Sequence, residues 1–380
     1  MSMNTRPLSI LHVLAPTDVG GLETVVINLS AEQRRRGHAV AIATVVPPGR
    51  PDHPLFARVA RTGIAVHTVA LGARAYLRER RMIGRLCQRI RPDVVHTHGF
   101  RPDILDAPAA RKNGAASVTT VHGFLAGTWR GRVYEWLQER SYRRFDAVVA
   151  VSRAIRTRLL KNGVPEDRIH VLPNALRFPL EHETRSEARR ALGLPDHEFI
   201  VGWIGRLSRE KGPDIMLQAL TKLDSDIRLS LLGAGREHDN LRRLASRLGV
   251  ESRIHWHGVV SDATRFVCAF DVVALTSRTE GTPMVLLETM EAMVPVIATS
   301  VGGIPDVVTD QEAILVPPES PIAVAEAVRR VRSDRCAAMT RARAASRRLE
   351  ECYAVAPWAE RYDRVYWQAL QRAKTARVRR

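Results

Sequence analysis

Short apolar runs alternate with longer amphipathic runs along almost all of the 380-residue chain. Runs such as Leu8–Leu14 and Val118–Val121 are mostly apolar, which is typical of parallel strands buried on both faces. Amphipathic stretches such as Leu22–Arg36, which stops at Gly37, have the length and ending of helices. The alternation therefore predicts βαβ units, in which helices cover parallel sheets.

The same alternation begins again after a polar, proline-containing segment near residues 174–182, which we interpret as a linker. A chain of 380 residues also exceeds one ordinary hydrophobic core. We therefore expect two Rossmann-like domains with a cleft between them, residues 1–175 and 176–355. The strands predicted for the second domain are Phe199–Ile204, Leu229–Leu232, Ile254–Trp256, Val272–Leu275 and Val296–Thr299.

Positive charge is concentrated in the first half of the chain. The net charge is +18, and residues 1–175 hold 27 Lys/Arg against 13 Asp/Glu. This excess favours an anionic partner, such as a membrane surface or a lipid phosphate, unless the arginines only solvate the surface. A nucleic-acid partner is not expected, because no zinc finger, aromatic RNA-binding signature or basic heptad region is visible.

Cysteine spacing and hydropathy predict the compartment. The four cysteines lack C-x-x-C spacing, as expected of thiols in a reducing environment. No apolar run reaches the ~18 residues that span a bilayer. The apolar run near the N-terminus resembles a first strand more than a signal peptide. We expect a cytoplasmic protein.

Open parallel sheets bind ligands beyond the carboxyl ends of their strands. We expect the residues that closely follow predicted strands to converge on one cleft. They are Gly20, Gly21, His96, His98, His122, Arg206, Lys211, Gly233, Gly235, Glu280 and Gly302.

Two carboxylates, Glu280 and Glu288, bracket a Gly-Thr-Pro turn and the start of a predicted helix, Met284–Met293. Pro283 suits the first helical position. The start of a helix offers unpaired N–H groups and partial positive charge to an anion. Arg206 and Lys211, in the loop of another strand, carry the charge that neutralises a diphosphate. This pattern predicts a ligand with a phosphate flanked by hydroxyl-rich groups, such as a nucleotide sugar.

Two features of the first half have a structural and a functional interpretation. The pair Gly20-Gly21 permits close approach of the backbone to a ligand, or simply makes a tight strand-to-helix turn. His122 follows a predicted strand and reaches a sugar hydroxyl or the acceptor, unless it is a structural histidine.

Metal binding is not predicted. His96 and His98 lie on one side of an extended segment, but no third spaced ligand accompanies them, so hydrogen bonding at the cleft wall is favoured. Asp224-Ser225-Asp226 matches the D-x-D pattern of a different class of sugar transferases. It precedes a strand, at the wrong edge of the sheet, and is interpreted as a solvated loop.

Two basic amphipathic segments are candidates for surface contacts. The apolar stripe of Arg78–Ile90 is typical of a helix that covers a sheet. The segment Trp129–Trp136, followed by several arginines, interleaves aromatic and cationic residues. It fits either an interfacial membrane contact or another sheet-covering helix.

Taken together, these residues resemble family 4 glycosyltransferases, which have the GT-B fold of two Rossmann-like domains. Glu280 and Glu288 fit the family's E-x7-E motif, although Gly281-Thr282-Pro283-Met284 replaces the Phe-Gly of many members. The resemblance covers essentially the whole chain. Its other marks are Gly20-Gly21, His122, Ser152, Pro173-Asn174, Gly205-Arg206 with Lys211, Gly233-Ala234-Gly235, and Gly302-Gly303-Ile304-Pro305-Asp306.

The resemblance implies roles for the residues of the second domain. Arg206 and Lys211 would bind the donor diphosphate. Glu288 would hold the ribose hydroxyls, and Glu280 would face the transferred sugar. The backbone N–H groups of Met284 and Val285 would complete the phosphate cradle, and Gly233 would also contact the donor.

For the first domain, His122 would contact the sugar or the acceptor, and Gly20 and Gly21 would let a loop close over the cleft. Residues 356–380 would form a helix that crosses back to the first domain.

The implied activity is retaining, metal-independent transfer of a hexose from a UDP- or GDP-linked donor, with no further cofactor. The acceptor would be a hydroxyl compound, lipid-linked or otherwise anionic, used in polysaccharide, glycolipid or cell-envelope synthesis. A peripheral position at the inner face of the cell membrane would follow. The alternatives are a nucleotide-sugar 2-epimerase of the same fold and a non-catalytic protein that binds anions or membranes.

Overall fold

The computed structural model describes residues 6–16, 20–49, 54–72, 74–123 and 129–378. The chain forms two compact units, one of Met1–Asn174 with Val355–Arg380 and the other of Ala175–Ala354. The C-terminal helix thus belongs to the unit that holds the N-terminal sheet. Each unit is built on its own sheet, and the paired strands within each are parallel.

The sheet of the first unit has the strand order β3-β2-β1-β4-β5-β6-β7. The order reverses between β1 and β4, where an open sheet leaves a crevice at its carboxyl edge. Its strands are β1 (Ser9–Leu14), β2 (Ala39–Val46), β3 (Ala65–Ala70), β4 (Val94–His98), β5 (Ala116–Val121), β6 (Ala147–Ala150) and β7 (Ile169–Val171).

Helices cover this sheet, which explains why most of its strands are nearly continuous apolar runs. The last helix packs its aromatic residues inward, and Trp358, Tyr362 and Tyr366 are fully buried. The helices are α1 (Gly21–Arg35), α2 (Pro54–Ala60), α3 (Tyr76–Ile90), α4 (Phe100–Lys112), α5 (Trp129–Tyr142), α6 (Arg153–Lys161) and, at the end of the chain, α14 (Val355–Val378).

The sheet of the second unit has the order β10-β9-β8-β11-β12-β13, and its reversal lies between β8 and β11. Its strands are β8 (Phe199–Ile204), β9 (Ile227–Leu232), β10 (Ile254–Gly258), β11 (Val272–Leu275), β12 (Val296–Thr299) and β13 (Ile314–Val316). Its helices are α7 (Arg185–Ala191), α8 (Pro213–Leu220), α9 (His238–Arg247), α10 (Met284–Glu291), α11 (Ile304–Val307), α12 (Pro321–Ser333) and α13 (Arg335–Cys352).

The predicted fold class of two parallel-sheet, Rossmann-like domains is confirmed. The predicted helix Met284–Met293 starts at Met284 as expected, but its predicted end was wrong, and so was the first helical position expected for Pro283. Pro283 stands before the helix in extended backbone, with φ −69° and ψ 124°. The helix ends at Glu291 because Met293 takes the left-handed conformation, with φ +52°, and ends the turn.

The apolar stripe predicted on α3 packs into the core. Ile83, Leu86 and Cys87 are buried against the first unit's sheet. Burial also raises the pKa of the Cys87 thiol to about 12, so this thiol stays protonated near neutral pH. The stripe is therefore part of the folded core, as a sheet-covering helix requires.

Candidate functional site

The loops that follow β8 and β11 meet at the strand-order reversal of the second unit. Lys211, after β8, places its Nζ 2.7 and 2.8 Å from the two carboxylate oxygens of Glu280, after β11. The Glu280 side chain is only 6% exposed, whereas Lys211 is 30% exposed. An ammonium has three N–H groups, so this cation keeps capacity for a further anion.

Glu280 is held from several sides. The Ser277 hydroxyl donates to its Oε1 at 2.7 Å. The Ser277 carbonyl in turn accepts a 2.6 Å hydrogen bond from Thr299, at the end of β12. The amide of Gly303 donates to the Glu280 carbonyl at 3.2 Å. The carboxylate is therefore fixed in one orientation, as a residue that contacts a reacting group should be.

The two loops are also joined through their backbones. Gly212 has φ +63°, and a Cβ there would lie 2.1 Å from the Thr276 carbonyl oxygen. The Thr276 hydroxyl donates to the Gly212 carbonyl at 2.7 Å. Only glycine allows this approach without moving the loop that carries Lys211.

An arginine that sequence analysis did not single out joins these loops to α8. The Arg278 guanidinium donates to both carboxylate oxygens of Asp214, at 2.8 and 2.7 Å, and to the Arg209 carbonyl. The hydrogen bonds from Asp214 raise the pKa of Arg278 above its ordinary value. This bidentate pair fixes the path of the chain into Glu280.

Helix α10 begins at Met284, shortly after Glu280 in the sequence. Pro283 occupies the N-cap position and supplies no side-chain cap. The first amides of the helix, those of Met284 and Val285, therefore remain available to an anion. Glu288 lies one helical turn farther on, half-buried, on the same helix.

Two further predicted site residues belong to neighbouring loops. The Arg206 side chain is exposed and makes no ion pair with any residue that the structure describes. Gly233, after β9, packs so closely that a Cβ would lie 1.8 Å from the Gly205 carbonyl oxygen. Gly233 thus brings the β9 loop against the loop that carries Arg206.

The D-x-D pattern has partners of its own. Arg332, on α12, bonds Asp224 at 3.0 Å and Asp226 at 2.5 Å. Both aspartates precede β9, at the amino edge of the sheet. Their charges are balanced by a protein cation, in agreement with the loop interpretation.

In the first unit, Gly20 and Gly21 open α1, after the carboxyl end of β1. The Gly20 amide donates to the Glu23 side chain at 2.8 Å. This amide is therefore already engaged as part of the helix cap, unlike a donor waiting for a ligand. Gly21 is exposed.

His122 follows β5 and belongs to a histidine cluster under α14. Its Nε2 lies 3.3 Å from Nδ1 of His98. The expectation that His96 and His98 line a cleft wall was wrong, because both are buried and β4 continues through His98. Parallel pairing places His12 of β1 beside His96, which supplies the third imidazole that local spacing did not reveal.

The second unit thus combines two cations, an uncapped helix start and a fixed carboxylate after neighbouring strands. This arrangement suits an anion joined to a hydroxyl-bearing group, since cations and amides bind phosphate and carboxylates accept from hydroxyls.

Comparison with known proteins identifies the family. The profile described as Glycosyltransferase Family 4 matches residues 19–177, and that of Glycosyl transferases group 1 matches residues 184–348. A D-inositol 3-phosphate glycosyltransferase of Xylanimonas cellulosilytica is 30% identical over 98% of this chain and 96% of its own. The chain belongs to the family 4 glycosyltransferases. A second protein of that name, from Corynebacterium aurimucosum, is 27% identical over 82% of this chain and 81% of its own.

Solved structures show that this glycosyltransferase has the GT-B fold. HepE of Anabaena, crystallised with UDP-glucose, matches with a TM-score of 0.82 at 21% identity, over 98% of this chain and all of that one. Sucrose-phosphate synthase of Thermosynechococcus elongatus matches with a TM-score of 0.81 at 20% identity, over 94% of this chain and 98% of its own.

We expect Gly302→Ala to displace Glu280 and to impair the enzyme. Gly302 has φ +57°, and a Cβ there would lie 1.9 Å from the Glu280 carbonyl oxygen. The overlap should lower the free energy of unfolding by about 1–3 kcal/mol, in addition to the cost of left-handed backbone. Urea denaturation and transfer assays measure both effects.

Gly249→Ala is the matched control for that backbone cost. Gly249 has φ +69°, but apart from its chain neighbours no atom of the described part of the chain lies within 4 Å of the added methyl group. Equal losses of stability and rate in the two variants would contradict the assigned contact between Gly302 and Glu280.

Proposed function

We propose that the enzyme is a retaining, metal-independent hexosyltransferase that takes its sugar from a nucleoside diphosphate donor. The observation that carries this proposal is the Lys211–Glu280 pair at the strand-order reversal, next in sequence to the uncapped start of α10. Cations and free amides favour the diphosphate, while the fixed carboxylate favours a sugar hydroxyl.

The proposed roles follow from this geometry and from the family motif. Arg206, Lys211 and the amides of Met284 and Val285 hold the diphosphate and stabilise the charge that develops on it as the glycosidic bond breaks. Glu280 accepts a hydrogen bond from a hydroxyl of the transferred sugar, near its 3-position. Glu288 holds the ribose hydroxyls.

The reaction that we propose needs neither a resident metal nor an organic cofactor. The acceptor hydroxyl attacks from the face that the leaving group vacates, and a phosphate oxygen of the departing diphosphate takes its proton. The anomeric configuration of the donor is thereby retained. His122 contacts the transferred sugar or the acceptor.

For the substrates, we propose a UDP- or GDP-linked hexose and an acceptor that carries a phosphate. HepE was solved with UDP-glucose, and curated relatives are named for inositol 3-phosphate. The excess of positive charge in residues 1–175 supports an anionic acceptor, either soluble or lipid-linked, as in envelope or polysaccharide synthesis.

The test is transfer by the full chain from a panel of UDP- and GDP-hexoses, with inositol 3-phosphate or lipid-linked acceptors, in EDTA or with Mg²⁺. We expect acceptor-dependent release of the diphosphate, unchanged by EDTA, and a product with the donor's anomeric configuration by NMR. An altered sugar from donor alone would indicate the 2-epimerase. Absence of donor binding by calorimetry would favour a non-catalytic protein.

We also propose that the first unit contacts an anionic membrane through α3 and α5. Among the described residues, no helix is both long and apolar enough to cross a bilayer. Large apolar side chains are nevertheless exposed on these helices, with Leu77 73% and Trp136 56% exposed. Arg140 stacks over Trp136 and is itself exposed. Exposed aromatic side chains beside exposed cations are typical of helices that bind at a membrane interface. The side chains of Trp129 and Arg130 in this segment lie outside the described set.

We expect the double variant Leu77→Ser/Trp136→Ser to lose at least half of its sedimentation with anionic phosphatidylglycerol vesicles, because apolar insertion and charge act together. Val259→Ser is the control, since Val259 is also apolar and is 80% exposed in the second unit. Unchanged sedimentation of the double variant, or equal loss in both, would refute the membrane contact.

A further inference from the structure

Histidines of the first unit are joined end to end by hydrogen bonds beneath α14. His12 Nδ1 lies 3.0 Å from His98 Nε2, and His98 Nδ1 lies 3.3 Å from His122 Nε2. A neutral imidazole has one N–H and one lone pair. If one ring donates from Nε2, its Nδ1 must accept, so the next ring must also donate from Nε2. The direction of donation is therefore the same at every contact in this row of imidazoles, from His12 to His122.

Gln33 sets that direction at the inner end. This buried side chain of α1 places Oε1 2.8 Å from His12 Nε2, and its Nε2 donates to the Tyr366 hydroxyl at 3.0 Å. An amide oxygen only accepts, so His12 carries its proton on Nε2. His98 and His122 must then also donate from Nε2, which leaves Nδ1 of His122 as an acceptor.

A second arm agrees with this assignment. The Tyr366 hydroxyl, which accepts from Gln33, lies 2.7 Å from His96 Nδ1, and His96 Nε2 lies 2.8 Å from the Thr120 hydroxyl. If Tyr366 donates to Nδ1, then His96 carries its proton on Nε2 and donates to Thr120. One direction therefore satisfies every link in both arms. A half-turn of the Gln33 amide would reverse every link and turn His122 Nδ1 into a donor.

The rings of the chain are neutral near pH 7. Burial lowers the pKa of His12 and of His122 to about 4, and it lowers those of His96 and His98 well below the ordinary value. Neutral rings are the ones in which the choice of tautomer matters. His122 is partly exposed, and its Nδ1 has no hydrogen-bond partner within the described residues.

We propose that Gln33 is a positioning residue that acts through His12 and His98 to hold His122 as a hydrogen-bond acceptor at Nδ1. His122 then accepts from a hydroxyl of the transferred sugar or of the acceptor. Tyr366, on the C-terminal helix, contacts the other end of the Gln33 amide and accepts from its Nε2. The role of His122 toward substrate rests on the proposed function, whereas its tautomer does not.

A metal site is the competing interpretation, because His12, His96 and His98 bring ring nitrogens within 4.8 Å of one another. Two imidazoles on one tetrahedral zinc hold their nitrogens about 3.3 Å apart. The closer 3.0 Å approach of His12 to His98 is that of a hydrogen bond. Both nitrogens of His96 are also already bonded. The contacts therefore favour the hydrogen-bonded chain.

The direct test is ¹⁵N-histidine NMR of the full-length protein, in which Nδ1 and Nε2 shifts distinguish the tautomers. The His122 signal is assigned by its loss in His122→Gln. We expect one tautomer with the proton on Nε2 in the wild type, and a mixture in Gln33→Met, which has no amide. Gln33→Glu keeps an acceptor for His12 and should restore the single tautomer. An unchanged His122 in Gln33→Met, or one equivalent of zinc retained after dialysis, would overturn the proposal.

Kinetics separate positioning from general damage. We expect Gln33→Met to lower kcat about 10-fold, the scale seen when the partner behind a functional histidine is removed, with the donor KM unchanged. Tyr362→Phe is the control, because among the described residues its buried hydroxyl bonds Thr120 alone, at 3.0 Å, outside the path to His122. A changed tautomer with unchanged kcat, or equal losses in both variants, would overturn the positioning role. Absence of transfer by the wild type would instead contradict the proposed function and leave the NMR result standing.

Discussion

We expect Glu280→Gln to lower kcat for sugar transfer at least about 100-fold, the scale of losing one preorganised contact to the transition state. The glutamine keeps the shape and an oxygen for the Ser277 hydroxyl, which donates to Glu280 at 2.7 Å. It loses the negative charge that pairs with Lys211 at 2.7 and 2.8 Å. It also places an amide donor where a carboxylate should accept from the sugar. Steady-state kinetics with the best donor of the panel measures this loss.

Glu251→Gln makes the same chemical change elsewhere in the unit. Glu251 pairs with Arg242 at 3.0 Å, and both side chains are more than 40% exposed, so it should retain wild-type kcat. Thermal melting of both variants checks that they fold. A folded Glu280→Gln enzyme with kcat within threefold of the wild type would remove Glu280 from the reaction.

We expect Lys211→Ala to have the second large effect, a loss of at least about 100-fold in kcat/KM. This lysine is assigned to the leaving diphosphate, so both donor binding and bond breakage should suffer. Its removal also leaves Glu280, 6% exposed, without the cation that compensates its burial. Kinetics against donor concentration separates the two contributions, and calorimetry with the diphosphate alone reports binding.

Lys222→Ala is the matched control, since Lys222 is an exposed lysine just after α8, whereas Lys211 lies just before it. The double variant Glu280→Gln/Lys211→Ala adds a test of coupling. The rate losses caused by substituting two residues in direct contact are not independent. The rate of the double variant should therefore be little lower than that of the slower single variant. Multiplied losses would show that the two side chains act separately. Unaltered diphosphate binding by Lys211→Ala would contradict the contact between Lys211 and the diphosphate.

Much of the fold could be predicted because the buried strands are recognisable as short apolar runs in the sequence. Runs such as Phe199–Ile204 are apolar since the sheet is covered on both faces, and that periodicity is local. Helix ends were less predictable. Met293 ends α10 by taking a left-handed backbone conformation, with φ +52°. Glycine is the residue expected at such a position, and the sequence has none there. Pro283 likewise stands just outside the helix, where its fixed φ is equally suitable.

The candidate site was predictable only where its residues follow strands. Lys211 and Glu280 could be placed together because the carboxyl ends of neighbouring parallel strands share an edge. Arg278 could not, since its partner Asp214 is distant in sequence and the pairing depends on how two loops pack. His12 was missed for the same reason, because only the register of β1 against β4 brings it beside His96.

The most direct measurement is a crystal structure of the enzyme with UDP or GDP, whichever binds more tightly. We expect the diphosphate within about 3.2 Å of Lys211 Nζ and of the first amides of α10, with the ribose hydroxyls on Glu288. A nucleotide bound at another edge of the second unit, or on the first unit, with Lys211 still paired only to Glu280, would contradict it.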